Sequence, residues 1–193
     1  MILPIVAYGH SVLRKLGEDV HPDYPELQKL IEDMWETMYY SNGVGLAAPQ
    51  VNRSIRLFVM DSSQIFENMK EDKDPEDYPD KPGIKKVFIN PKIIALDGKE
   101  WCYNEGCLSI PKIREDIYRS EEVTLSYFDE TFTRFEDKFT GITARVILHE
   151  YDHIQGKLFI DYIKPLKRKL MKGKLDDISK GKVKVDYRML FPK

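Results

Sequence analysis

The segment His149-Glu150-Tyr151-Asp152-His153 has the residue types and the spacing of a metal-binding catalytic motif. Residues four apart lie on one face of an α-helix, so both histidines can reach one ion, at about 2.0–2.1 Å each if it is zinc. Glu150 follows the first histidine and can act as a general base on water beside that ion. Because the chain has only four histidines, an incidental match on a charged surface helix is the weaker interpretation.

A third ligand must come from another part of the chain. The extended metalloprotease motif has a third histidine six positions after the second, where this chain has Phe159, so that protease class is not supported. The segment 104–111 (NEGCLSIP) offers Cys107, whose thiolate could reach the ion if the segment runs extended beside the motif helix. A Cys-His-His set leaves a fourth position open for water, as in catalytic sites.

A closed structural zinc site is the alternative use of the same residues. It would bind the metal through Cys102, Cys107, His149 and His153, and the spacing of the cysteines does not forbid it. A domain of this size does not need a metal in order to fold, and a structural site has no use for Glu150. Two cysteines are also too few for a disulfide framework. The open, catalytic arrangement is therefore favoured.

Gln50 ends a glycine-rich segment, 43–50 (GVGLAAPQ), that follows a predicted helix. Taken alone, such a segment is most simply the end of a helix and a turn. Glycine also lets the backbone approach a ligand closely. A glutamine amide held there could donate a hydrogen bond to a developing oxyanion.

Apolar periodicity predicts the elements that must position these residues. Helical spacing over Pro25–Tyr40 and Ile142–Gln155 predicts a scaffold helix and a helix that carries the motif. A shorter helix is expected at Ser11–Gly17. Strands are predicted at Ile55–Asp61, Lys86–Ile89, Ile93–Leu96 and Glu122–Phe128. We therefore expect an α+β fold, with mainly antiparallel β-sheets packed around a central helix that carries the motif.

Length and composition indicate one catalytic domain over residues 1–193. Residues 67–83 predict a solvated acidic loop insertion, and residues 165–193 predict a basic helix followed by a strand-like Val183–Tyr187. The net charge of −2 argues against a general nucleic-acid binder. No apolar run approaches the roughly 20 residues that span a bilayer, and no secretory leader is evident. A cytoplasmic location is expected.

The three segments, in this order, resemble the motifs of the peptide deformylase family. They are a glycine-rich segment ending in glutamine (43–50), an E-G-C-x-S segment (105–109) and H-E-x-x-H (149–153). The resemblance runs from about Pro4 to Leu166. It departs at the acidic loop, in the tail beyond 166, and at Leu148, where glutamine is usual in the family.

The resemblance implies an enzyme that removes the formyl group from the N-terminal formylmethionine of new polypeptides and releases formate. It implies that Cys107, His149 and His153 bind the metal and that Glu150 is the general acid/base. The oxyanion donors would be the Gln50 amide and the Leu108 backbone N–H. The ion would be Fe²⁺, with Zn²⁺, Ni²⁺ or Co²⁺ as alternatives, since imidazole and thiolate suit several metals.

The substrate site and the partners are the least constrained predictions. An apolar pocket for methionine is predicted around Val44, Ile142 and Val146, although these residues fit an ordinary core equally well. Glu105, and less so Arg114, could support a ligand or form a surface ion pair. The predicted substrate-binding set is Gly43, Val44, Gly45, Glu105, Gly106, Ile142 and Val146. The basic tail suggests a salt-sensitive ribosome contact.

Two other classes of function remain open on the sequence alone. One is a metallopeptidase of unrelated specificity, and the other is a metal-binding module without catalytic activity. Release of formate, compared with cleavage of a peptide bond, separates the first from a deformylase. Metal content without activity on formyl-Met-Ala-Ser would identify the second.

Overall fold

The structure, a computed structural model, describes residues 1–68 and 80–192. Within these residues the strands β1 to β7 are Ile5–Val6, Gly45–Ala47, Leu57–Asp61, Lys85–Cys107, Ile110–Phe128, Arg134–Thr140 and Met189–Leu190. The helices α1 to α5 are Leu27–Tyr40, Ser63–Glu67, Gly141–Ile154, Pro165–Leu170 and Lys172–Ser179. Single turns of 3-10 helix lie at Ser11–Arg14, Ala48–Val51 and Phe159–Tyr162.

An antiparallel sheet is the main β structure of the described residues, with strand order β2-β3-β4-β5-β6. The two strands predicted at Lys86–Ile89 and Ile93–Leu96 are parts of the single long strand β4. Between them Asn90 has a positive φ of 50°, and the register shifts between Ile89 and Lys92. The side chain of Asn90 bonds both backbone groups of Val20, which stabilises this irregularity. Asn90-Pro91 therefore marks a bulge rather than the end of a strand.

The scaffold helix was predicted correctly except at its start. Helix α1 begins at Leu27, two residues after the predicted Pro25, and Glu26 before it is left-handed with a φ of 53° and no capping side chain. The apolar stripe of α1 packs with β2, β3 and β4 into one core. This core supports the glycine-rich segment, which leaves the end of α1 and enters β2.

Two local predictions differ from the structure, and some strands were not predicted. The helix expected at Ser11–Gly17 is only a 3-10 turn, and His10, not Ser11, accepts the capping hydrogen bond from the Val12 N–H. Val183–Tyr187 does not form a strand; the tail instead forms β7, parallel to β1. Strands β1, β2 and β6 were not predicted. The strands β1, β2 and β7 have only two or three residues and depend on their partners, so local sequence predicts them poorly.

Helix α3 coincides with the predicted motif helix to within one residue at each end. It packs against β2, β3, β5 and β6, and Gly156 follows it in a left-handed conformation, with a φ of 70°. The fold is thus a mixture of helices with antiparallel sheet. Most of the predicted acidic loop, residues 69–79, lies outside the described residues. None of the described helices is long and apolar enough to cross a lipid bilayer.

Candidate active site

The end of strand β4 and helix α3 bring the three predicted ligands together. The Cys107 Sγ and one ring nitrogen each of His149 and His153 all lie within 4.8 Å of one another. The Sγ is 3.3 Å from the His153 Nε2. Cys107 is the last residue of β4, and the antiparallel turn after it holds its side chain towards the helix.

The chemistry of this donor set fits a bound cation. A thiolate and two neutral imidazole nitrogens are lone-pair donors, and such groups converge at metal sites. His149 directs its Nδ1 to Glu105, which leaves its Nε2 for the cluster. Cys102 is exposed and, among the described residues, does not belong to the group of potential ligands. The closed four-ligand alternative is therefore not formed.

A buried ion-pair network contacts the Nδ1 of His149 and holds its ring in place. Glu105 accepts two hydrogen bonds from Arg119, at 2.7 and 3.0 Å, and its Oε2 lies 2.9 Å from the His149 Nδ1. Arg119 also donates to Asp152, at 2.6 Å, and Arg145 donates to Glu105 at 3.1 Å. All four charged residues are less than 10% exposed. Such partners fix the tautomer and the orientation of a ligating imidazole.

Glu105 was predicted from the sequence as a supporting residue, whereas Arg119, Asp152 and Arg145 were not. Two features of the sequence could have indicated buried charges. Arg145 interrupts a run of apolar residues on α3, and Asp152 lies inside the motif itself. Arg114, the other candidate for a supporting role, is exposed and bonds Asn104 instead of a proposed ligand, and it lines the cleft beside the cluster.

The two glutamates of the site have opposite pKa shifts. Burial alone would raise the pKa of Glu105, but hydrogen bonds with His149 and Arg119 hold it well below its ordinary value. Burial raises the pKa of Glu150 to about 7. Glu150 Oε2 is buried and has no hydrogen-bond partner among the described residues. Glu105 is thus a fixed anion, whereas Glu150 has the properties of a proton-transfer group.

The glycine-rich segment was expected to let the backbone approach a ligand closely, and in the structure it lies close to side chains of the protein itself. A Cβ at Gly45 would overlap the carboxylate of Glu150, and a Cβ at Gly43 would meet Leu108 at 2.8 Å. Gln50 is buried, and its Oε1 accepts from the Ala47 N–H at 2.9 Å. Its Nε2 points to Ser109 Oγ, at 3.2 Å, and Cys107 Sγ, at 3.5 Å. The amide is therefore held beside the ligand cluster.

A cleft of about 570 Å³ opens onto this cluster. The predicted residues that line it are Gly43, Val44, Gly45, Gln50, Glu105, Gly106, Cys107, Leu108, Ile142, Val146, His149 and Glu150. Ile142 and Val146 are also buried, and Val146 belongs to a hydrophobic core cluster, so lining the cleft does not exclude a role in the core. The C-terminal residues Lys184–Tyr187 line the cleft as well, which the sequence did not indicate.

Comparison with known proteins identifies the family. The family model for polypeptide deformylase matches residues 2–169. The chain belongs to the polypeptide deformylase family. It is 51% identical to the peptide deformylase of Flavobacterium johnsoniae, over 99% of this chain and 96% of the relative. It also resembles the crystal structure of a peptide deformylase from Legionella pneumophila, with a TM-score of 0.77 and 37% identity over 94% of this chain and 98% of the other.

A third comparison concerns a peptide complex. The class I type b peptide deformylase from Acinetobacter baumannii, with Met-Ala-Ser bound, has a TM-score of 0.72 and 32% identity, covering 84% of this chain and 99% of the other. The resemblance predicted from the three motifs is thus confirmed, and the chain is an enzyme. Peptide deformylases are metal-dependent and remove the formyl group from N-terminal formylmethionine. Their substrates are formylated nascent peptides.

Proposed function

We propose that this deformylase hydrolyses the formyl amide at the Cys107, His149 and His153 cluster, with residues 1–193 forming one catalytic domain around α3 as its central helix. The observation that carries the proposal is the meeting of three ligand atoms within 4.8 Å of one another beside a buried carboxylate. The cleft of about 570 Å³ is within the range that encloses a small ligand.

The two histidines and the cysteine would hold one divalent ion. We propose Fe²⁺ as the native ion, because the family generally uses it, with Zn²⁺, Ni²⁺ and Co²⁺ able to take its place. A thiolate with two imidazoles suits all four metals. The ion would supply Lewis acidity, which polarises the formyl carbonyl and lowers the pKa of water.

Glu150 is the proposed proton carrier. It accepts a proton from the water that attacks the formyl carbon, and it then delivers that proton to the amine nitrogen as the C–N bond breaks. The products are formate and a free N-terminal methionine. Burial supports this role, because a carboxylate with a raised pKa both takes and returns a proton near neutral pH.

Gln50 and Leu108 are the proposed donors to the oxyanion. The Gln50 amide is held in place through its own oxygen by the Ala47 N–H, so its Nε2 stays directed at the cluster. Leu108 follows Cys107 directly, and its N–H belongs to the peptide unit next to the proposed ligand. Donors fixed before reaction stabilise developing charge at no cost of reorganisation.

The apolar side of the cleft is the proposed methionine pocket. Val44, Ile142 and Val146 line it, and the backbone of Gly43, Gly45 and Gly106 forms part of the same wall. Support comes from the similar Acinetobacter baumannii enzyme, whose structure holds Met-Ala-Ser. An unbranched, flexible side chain such as methionine fits an irregular apolar pocket well.

The test is formate release from formyl-Met-Ala-Ser by protein purified and assayed without oxygen. We expect formate and free Met-Ala-Ser in equal amounts, with no cleavage of the Met-Ala bond. Cleavage of that bond would indicate a metallopeptidase of other specificity. Protein that holds one ion per chain and releases neither product would indicate a metal-binding module and overturn the proposal.

A ribosome contact through the exposed cations of α4 and α5 is a second proposal. Lys167, Arg168 and Lys172 already pair with acidic residues, whereas Lys169 and Lys174 are exposed and form no ion pair within the described part of the chain. We also propose a cytoplasmic location, because the nascent chains that this contact would serve are made there. The contact would be salt-sensitive because phosphates would be its partners.

The double variant Lys169→Glu, Lys174→Glu is expected to lose most of its co-sedimentation with ribosomes at low salt. Its rate of formate release from formyl-Met-Ala-Ser should match that of the parent. The control is Lys99→Glu, at an exposed position in the middle of β4. Equal co-sedimentation of the double variant and the parent would remove this proposal. Truncation is unsuitable, because residues 184–187 line the active-site cleft.

A further inference from the structure

The C-terminal segment 181–192 returns from α5 to the active site. Its strand β7 pairs in parallel with β1, and the N–H groups of Ile5 and Ala7 donate to the carbonyls of Arg188 and Leu190, at 2.9 and 2.8 Å. Val183, Met189, Leu190 and Phe191 pack on the core that contains β1. This tail is therefore fixed to the fold on both sides of the residues that line the cleft.

The tail contacts the turn that links β4 to β5. This turn is Leu108-Ser109, and Cys107 pairs with Ile110 across it. The Tyr187 hydroxyl donates to the Leu108 carbonyl oxygen at 2.8 Å. The ring of Tyr187 packs on the hydrophobic core that also contacts Leu108.

Two more hydrogen bonds hold the same turn. The Tyr8 N–H donates to the Ser109 carbonyl at 2.9 Å, and the Gln50 amide donates to the Ser109 hydroxyl at 3.2 Å. Tyr8 follows β1, which is paired with the tail. Residues near both ends of the chain, Tyr8 and Tyr187, thus form hydrogen bonds with the two-residue turn. This turn contains the Leu108 N–H, a proposed oxyanion donor.

We propose that Tyr187 is a positioning residue for the reaction and that the C-terminal tail is part of the active site. The inference rests on the proposed role of the Leu108 N–H. The N–H and the carbonyl of Leu108 flank one Cα, so a hydrogen bond that fixes the carbonyl restricts the backbone dihedrals that aim the N–H. An oxyanion donor is effective when its direction is fixed before the transition state.

The test is the variant Tyr187→Phe, which keeps the ring and removes only the hydroxyl. Losing one such hydrogen bond loosens the donor without deleting it, so kcat should fall about five- to tenfold while KM stays within about twofold. The matched control Tyr118→Phe, at a 62% exposed tyrosine on β5, should leave both constants unchanged. Metal content of Tyr187→Phe should match that of the parent, and its thermal unfolding midpoint should fall by no more than about 5 °C, the cost of one hydrogen bond.

Amide hydrogen exchange gives a readout that does not need turnover. Exchange at Leu108–Ile110 should be faster in Tyr187→Phe than in the parent and unchanged in Tyr118→Phe. An unchanged kcat, an unchanged exchange rate, or a loss that appears in KM alone would each overturn the proposal. If the parent released no formate, the proposed function would fail, while the exchange comparison would still report whether Tyr187 holds the turn.

Discussion

Glu150→Gln is expected to retain its metal and to lose turnover of formyl-Met-Ala-Ser by a factor on the order of 10²–10⁴, the usual contribution of a general acid–base residue. Glutamine has nearly the same shape as glutamate but cannot accept the proton from water or return it to the amine. The three proposed ligands are untouched, so metal binding should persist. The measurements are kcat with the loaded protein and metal content by mass spectrometry.

The matched control is Glu121→Gln, at an exposed glutamate of β5. It removes the same charge from the protein and should leave kcat unchanged. A Glu150→Gln protein that holds one ion per chain and hydrolyses the peptide near the parent rate would show that Glu150 is not the proton carrier. Loss of the metal in that variant would show instead that Glu150 acts as a ligand.

Arg119→Met is expected to be the most destabilising single change in the buried network. Arg119 is 6% exposed and bonds both Glu105 and Asp152, so its removal leaves Asp152 buried without a cation and leaves Glu105 with Arg145 as its only guanidinium partner. Breaking a buried pair in this way costs about 3–5 kcal/mol of the free energy of unfolding. Metal affinity should also fall, by about 10–100-fold, because Glu105 orients His149. Urea unfolding of the metal-free protein and competition with a chelator measure the two effects.

Two further variants test the cause of that loss. Arg134→Met, at an exposed arginine on β6, should change the free energy of unfolding by no more than about 0.5 kcal/mol. The double variant Arg119→Met, Asp152→Asn should be less destabilised than the sum of its single variants, because the asparagine is uncharged. Equal losses in Arg119→Met and Arg134→Met would contradict the importance of the buried network.

The two proposed histidine ligands could be predicted because their signal is local. His149 and His153 share one helix, and the apolar spacing from Ile142 together with Gly156 defines that helix to within one residue at each end. Cys107 required a guess about long-range packing, which the order of the three motifs made reasonable. The structure brings its sulfur within 4.8 Å of the donor atoms of the other two.

The supporting residues were harder to predict because they depend on strand register. Arg119 reaches Glu105 only because β4 and β5 pair so that Glu105 lies opposite Glu115. One residue of slip would turn Arg119 to the other face of the sheet. Tyr187 was missed for a related reason, since β7 is two residues long and is defined by its pairing with β1. Local periodicity contains no information on either contact.

X-ray absorption spectroscopy of the zinc-loaded protein tests the metal centre most directly. The spectrum should show one sulfur at about 2.3 Å and two imidazole nitrogens at about 2.0–2.1 Å, with light scatterers from solvent completing the shell. In Cys107→Ser the sulfur contribution should disappear, whereas in Cys102→Ser it should remain. A shell with no sulfur, or one with two sulfurs, would contradict the open Cys-His-His site.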